Sequence, residues 1–211
     1  MRLNFIPRPA GVAGFGRIYN GYATTDLKNI APAGWHVPSN TEWSTLFTTL
    51  SSAPAGKIKE TGFTHWMSPN TGATNEVGFN CVAAGIRLDG YDFTRLRFEC
   101  WLWSSTWISG SNQTIAILFN SDVISIGNLV YNSGGTLRCI KDNSTDPGTV
   151  TGNDGTVYPT VKIGDQVWMA ENSQETMYRD GSTIPEVKDY ATWIALTSGA
   201  WCYVNNDINN L

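Results

Sequence analysis

Tyr158-Pro159-Thr160-Val161-Lys162-Ile163-Gly164-Asp165-Gln166-Val167-Trp168-Met169-Ala170-Glu171-Asn172 reads, from Val157 to Ala170, as two strands around a Gly164-Asp165 turn. Before it, Asp142-Asn143-Ser144-Thr145-Asp146-Pro147-Gly148 and Gly152-Asn153-Asp154-Gly155 read as a linker. After it, the pattern predicts a helix that starts with Asp189 as N-cap and runs through Trp193 and Leu196 to Gly199. The chain then closes on Trp201-Cys202-Tyr203-Val204-Asn205-Asn206-Asp207. A closing segment of about 55 residues is too short for a secure core of its own, so its apolar side needs a partner surface.

The partner lies upstream. Residues 1–15, rich in Pro and Gly, read as an extended arm, and residues 16–24 as a short strand. Ser39 and Glu42 form a capping box, and Trp43, Leu46, Phe47 and Leu50 build one apolar helix face before Pro54 and Gly56 stop it. From 57 to 100 the chain is loop-rich. Ser68-Pro69-Asn70-Thr71-Gly72 is turn chemistry, Gly78–Val82 and Gly85–Leu88 are short candidate strands, and Asp89-Gly90 marks a hairpin turn. Residues 101–141 read as a meander of four strands, at 101–106, 114–119, 123–126 and 135–140.

Composition removes several classes of function. The 211 residues carry only 15% charge but nine tryptophans, the reverse of a disordered chain. A net charge of −4 leaves no basic stripe for phosphates, and Arg95-Leu96-Arg97 is too short to serve, so nucleic acid is not an expected partner. No run approaches the roughly 18 apolar residues of a membrane helix, so membrane insertion is not expected. Met1 to Pro9 lacks the apolar core of a signal peptide, so export by that route is not expected either. Cys81, Cys100, Cys139 and Cys202 form no CxxC pair, which argues against zinc. Buried free thiols are the expectation, with a disulfide the alternative in an oxidising compartment. The two histidines, His36 and His65, read as packing residues, so neither a metal nor a cofactor is expected.

Six strings carry a family resemblance: Gly16-Arg17-Ile18-Tyr19-Asn20, Ala31-Pro32-Ala33-Gly34-Trp35-His36-Val37-Pro38, Trp103-Ser104-Ser105-Thr106, Leu137-Arg138-Cys139-Ile140-Lys141-Asp142, the 158–172 stretch and Trp201 to Asp207. Together they resemble the major paralogous domain of Fibrobacter. That resemblance implies an α+β, C-type-lectin-like or formylglycine-generating-enzyme-like fold with two helices, several short antiparallel strands and long ordered loops. In that family the last two strings come first, so the order here is circularly permuted. The implied layout is an arm at 1–15, the main part of the domain at 16–142, a linker at 143–156 and a completing segment at 157–211. That segment folds back on its own chain, the preferred arrangement, or onto a neighbouring subunit, which gives a ring or a fibre.

The resemblance implies binding rather than catalysis. Formylglycine-generating relatives need a reactive cysteine pair or a copper site. Cys81 and Cys100 lie far apart in sequence, with no evident His or acid to activate them. The calcium-dependent sugar motifs of true C-type lectins are missing, and Asn205-Asn206-Asp207 lacks calcium-loop spacing. The lectin-like variable proteins of diversity-generating retroelements place their binding residues between a Trp-rich strand and a terminal Arg-containing strand. The matching interval here offers Arg97, Phe98, Glu99, Trp107, Asn112, Asn120, Asp122, Asn128, Tyr131 and Asn132 as candidate ligand-binding residues. Rigid aromatics beside adaptable Ser and Asn make a generic recognition surface. The expected function is a non-enzymatic adhesin or decoration subunit on a phage virion, oligomeric through its arm, that recognises a bacterial surface glycan or protein. A bacterial cell-surface module of the same family is the alternative.

Overall fold

A computed structural model describes residues 14–143 and 146–211. The expected arm falls outside these residues except for Gly14 and Phe15, and Phe15 is buried. The architecture is α+β and mostly antiparallel sheet. In chain order the elements are β1 (Arg17–Asn20), α1 (Gly21–Thr25), β2 (Trp35–His36), α2 (Asn40–Leu50), α3 (Pro54–Ile58), β3 (Ile86–Leu88), β4 (Tyr91–Thr94) and β5 (Glu99–Ile108). They continue with β6 (Ser111–Leu118), β7 (Ile124–Val130), β8 (Gly134–Gly135), β9 (Ile140–Lys141), β10 (Thr149–Thr151), β11 (Val157–Ile163), β12 (Gln166–Met169), α4 (Tyr190–Ile194) and β13 (Trp201–Tyr203). Three sheets result, ordered β13-β1-β8-β3-β4, β10-β11-β12-β9-β2 and β5-β6-β7.

Several sequence expectations need correction. Among the described residues, four short α-helices replace the expected two. The Asn20 side chain accepts the Ala23 N–H at 3.0 Å and so turns the end of β1 into α1. Pro54 does not merely stop α2. Its missing N–H suits a first helical turn, and it opens α3 after Ser51 breaks the chain at φ 61°. The last meander strand splits into β8 and β9, which join different sheets. The 142–156 linker contributes β10 as an edge strand on β11. Gly78–Val82 makes only a single bridge, between Cys81 and Lys59.

The Ser39–Glu42 capping box and the Asp189 N-cap form as the residues predict. Residues 157–211 pack against the upstream body within the same chain. β13 pairs with β1 in the register Arg17↔Tyr203, Ile18↔Cys202 and Tyr19↔Trp201, and β12 pairs with β9 through Trp168↔Ile140. All three apolar clusters mix the two segments: Trp168 with Trp43, Met169 with Trp103, and Trp193 with Ile18.

Buried cations fasten the loops. Arg138 is fully buried and donates to Phe79 O, Asn80 O at 2.8 Å, Met169 O at 3.1 Å and Asn172 Oδ1 at 2.7 Å. Arg179, an exposed residue, does the same from the surface, tying its loop to the carbonyls of Ala31, Pro32 and Trp35. Lys59 donates to the carbonyls of Thr71, Leu118 and Ser121, at 2.7, 3.2 and 2.9 Å. Burial pulls the Lys59 ammonium down to about 8, so it still carries its charge at neutral pH. Each such bond from the buried Arg138 and Lys59 is charge-assisted and contributes roughly 1.5–3 kcal/mol, and those of the exposed Arg179 contribute less.

Candidate ligand-binding cleft

The β3–β4 hairpin turns at Asp89-Gly90, where Gly90 has φ 82°. The fully buried Arg87 anchors it. That side chain donates to Asp92 Oδ1 at 2.8 Å, Val187 O at 2.9 Å and Lys188 O at 2.7 Å, with its guanidinium over the rings of Phe93 and Trp193. The chain next makes a tight reversal in which Arg95 and Arg97 both adopt left-handed backbone, at φ 65° and 66°. Such conformations cost of order 1 kcal/mol or more each and hold only where the surroundings impose them. Here Arg97 donates its N–H to Ala83 O at 2.8 Å and accepts from Met67 at 2.7 Å. Gly85 packs against the reversal so closely that a Cβ there would lie 2.5 Å from Thr94 O.

Leu88, Tyr91, Thr94, Arg95 and Phe98 line an open cleft of about 450 Å3 on this rigid base. Tyr91 is 68% exposed and Phe98 40%. Phe98 is steadied by an edge-on contact with Phe119 at 5.1 Å. Glu99 sits behind Arg95 at 3.7 Å and accepts the Trp101 indole N–H at 2.9 Å. Two aromatic faces and a guanidinium around one opening can stack on a ring and donate to its oxygens.

The ten residues singled out in the sequence do not form one surface. Phe98 lines the cleft and Glu99 backs it, while Arg97 points away and donates to Phe63 O at 2.5 Å. Exposed Asn120 and half-buried Asp122 lie at the same end of the β5-β6-β7 sheet, on the β6–β7 turn. Trp107, 55% exposed, stands at the opposite end, on the β5–β6 hairpin. The length of β6, about 25 Å, separates the two ends. Asn128 is exposed in β7, opposite Gln113.

Three of the ten make contacts within the fold. Asn112 is fully buried opposite Trp107, with Nδ2 3.5 Å from Thr24 Oγ1. Tyr131 stacks on Tyr22 at 4.7 Å. Asn132 caps the end of α4, donating to Ile194 O at 3.0 Å and accepting from Trp193 Nε1 at 2.7 Å. Sequence reasoning passed over Leu88, Tyr91, Thr94 and Arg95. The signal that could have found them was the Asp89-Gly90 turn, which presents whatever follows it.

Three other polar clusters stand apart from the cleft. His36 bridges Asp142 at 2.5 Å and Glu42 at 2.6 Å. Burial opposes its charge, but the two carboxylates outweigh that and raise its pKa. Glu175 is buried beside Asp154, and burial pushes it up to about 7. Cys81 and Cys100, distant in sequence, are both fully buried in one apolar cluster, with Cys100 Sγ 3.8 Å from Thr136 Oγ1. Among the described residues no group of three His, Cys, Asp or Glu side chains is placed to hold a metal ion, and no helix is long and apolar enough to cross a membrane.

Compared with known proteins, the chain matches the Fibrobacter succinogenes major domain over residues 3–141 and 161–211. No curated protein and no solved structure matches it.

Proposed function

The chain belongs to the Fibrobacter succinogenes major domain family, and from that premise we propose that it is a non-enzymatic, lectin-like binding module that takes a glycan of a bacterial surface in the Tyr91–Arg95–Phe98 cleft. The observation that carries this reading is the exposed pair of aromatic rings flanking Arg95 on a backbone held in left-handed conformation. Rigid aromatics lose little entropy on binding, and their faces suit the apolar faces of sugar rings. The permuted lectin-like order is part of the same proposal. It is supported by the β1–β13 pairing, which brings the start of the described chain beside its end. A formylglycine-generating-type activity would need cysteines open to substrate, whereas Cys81 and Cys100 are both fully buried.

A single shallow cleft binds weakly, and many copies on one surface convert weak binding into avidity. We therefore place the module on a polyvalent support, a phage virion, as adhesin or decoration subunit. Display on a bacterial cell surface is the second reading.

The test is a glycan array and a whole-cell binding assay with Tyr91→Ala, Phe98→Ala and Arg95→Ala. Each is expected to weaken binding about tenfold or more, a loss of roughly 1–2 kcal/mol. Trp107→Ala, at the far end of the sheet, should bind as the parent does. Equal binding by all four proteins would overturn the cleft, and loss confined to Trp107→Ala would move the site to the hairpin tip.

A further inference from the structure

Apart from Arg95, every arginine among the described residues donates to oxygens of its own chain. Arg17 donates to Gln174 O and Arg97 to Phe63 O, and Arg87, Arg138 and Arg179 each hold several carbonyls. Arg95 has no such bond among these residues. Its side chain is 61% exposed, and its ionic contact with Glu99 is 3.7 Å long, beyond hydrogen-bond reach. An exposed pair of that length contributes little. The backbone beneath it is nonetheless fixed. Arg95 O accepts the N–H groups of Phe98 at 2.9 Å and Glu99 at 3.0 Å, and the preceding residue, Thr94, pairs with Ile86 at the end of β4. A free guanidinium on a fixed backbone, lining the same opening as Tyr91 and Phe98, is a set of donors without an acceptor.

Resting on the cleft reading above, we infer that the ligand is an acidic sugar of the uronic-acid class, with its carboxylate gripped by Arg95 and its ring face laid on Tyr91. Arg95 is then the residue that selects acidic sugars from neutral ones. The parallel N–H groups of a guanidinium match the two oxygens of a carboxylate, and that bidentate pair is stronger than a bond to a neutral hydroxyl. The Thr94 side chain at the same opening can serve a ring hydroxyl.

The surroundings limit the charge that the cleft accepts. Asp92 is held by Arg87 at 2.8 Å, but Asp89 is exposed at the hairpin tip and the Glu99 carboxylate stands behind Arg95. A phosphate monoester carries about two negative charges at neutral pH and would meet more repulsion from those two side chains than a singly charged sugar acid. One guanidinium suits one carboxylate.

The test uses the full chain and immobilised bacterial polysaccharides of three kinds: uronic-acid-containing, phosphate-bearing and neutral. The first is presented native and after carboxyl reduction, which turns each uronic acid into the neutral hexose and keeps the ring and its linkages. The parent should bind the native uronic polymer about tenfold more tightly than the reduced one and lose that preference at high salt. Arg95→Gln should bind both forms alike. Arg95→Lys, which keeps the charge without the fork, should retain a preference of only about two- to threefold. Equal binding of native and reduced polymers by the parent, or a preference for the phosphate-bearing one, would overturn the inference. Where Tyr91→Ala still weakens that binding, the cleft reading survives the failure. Binding that Tyr91→Ala and Phe98→Ala both leave unchanged, or no binding to any of the polymers, would sink the cleft and the inference together.

Discussion

Around Arg138, oxygens from residues 79, 80, 169 and 172 converge on one buried guanidinium, whereas no residue of β7 carries a charge and Val123, Ile126 and Val130 stand in solvent along it. The two regions solve the same problem differently. The loops have little ladder of their own, so their carbonyls are satisfied by cations drawn from distant parts of the chain. The sheet satisfies its backbone locally, through the β5–β6 and β6–β7 ladders, and leaves β7 as its outer strand. A chain with only 15% charge places several of its cations inside, as loop fasteners, and lets an uncharged edge face water. The loops should therefore fail sharply when a cation is lost, and the sheet should tolerate change.

The largest expected effect follows from removing a fastener. Arg138→Met keeps most of the volume but strips the donors from Phe79 O, Asn80 O, Met169 O and Asn172 Oδ1. Each orphaned buried acceptor costs about 1–3 kcal/mol, and partial relaxation brings the total to about 4 kcal/mol. Urea unfolding measures it. A loss below about 1 kcal/mol would mean that the loops are held by apolar packing alone, and the contrast between the two regions would collapse.

The next effect is electrostatic and belongs to a carboxylate buried much as the cations are. Glu175 Oε2 accepts the Asn153 N–H at 2.7 Å while Oε1 has no hydrogen-bond partner. Burial first, then the charge of Asp154, raises its pKa from 4.5 to about 7. The folded state therefore keeps a proton that the unfolded chain releases. Below pH 4.5 both hold it; as pH rises from 4.5 to about 7 stability falls, and above that the loss is complete. The whole shift corresponds to at most about 3 kcal/mol. His36 works in the same direction over a different window. Its pKa is raised above 6.5, so its stabilisation is full below 6.5 and is lost as pH climbs through the raised value. Urea midpoints across pH 4–9 should show both slopes. Glu175→Gln should flatten the lower one and leave the upper one intact, and an unchanged lower slope would show that Glu175 is solvated.

Local signals were the legible part of this molecule. The capping box at Ser39, the N-cap at Asp189, the Gly164-Asp165 hairpin and the dependence of the closing segment on upstream apolar surface all rest on neighbours within a few residues or on a shortage of core. The cation fasteners were not legible, because Arg138 bonds residues up to 59 positions away and Arg179 up to 148. No periodicity marks which arginine turns inward. The cleft was half legible for the same reason. Phe98 stood out as an aromatic before a Trp-rich strand, but Tyr91 and Arg95 acquire meaning only once the hairpin folds beside it. Asn112 shows the reverse error: polar residues near a turn read as surface, and this one is the buried partner of Trp107 in the β5–β6 ladder.

The smallest expected effect lies on the outer strand. Ile126 pairs across to Ile115, is 53% exposed, and borders a shallow groove with Phe47, Pro54 and Val123. Ile126→Lys gives up part of one half-buried side chain, and the lysine stem still covers the groove, so stability should change by no more than about 0.5 kcal/mol. The measurement is the urea midpoint at two protein concentrations well apart. A small shift that is the same at both would sharpen the contrast with Arg138, because one substitution on each region would then differ several-fold in cost. A large shift that grows with concentration would break it. Binding between copies stabilises by mass action, so such a result would mean that a second chain covers the outer strand and that its apolar residues hold structure together as the inner cations do.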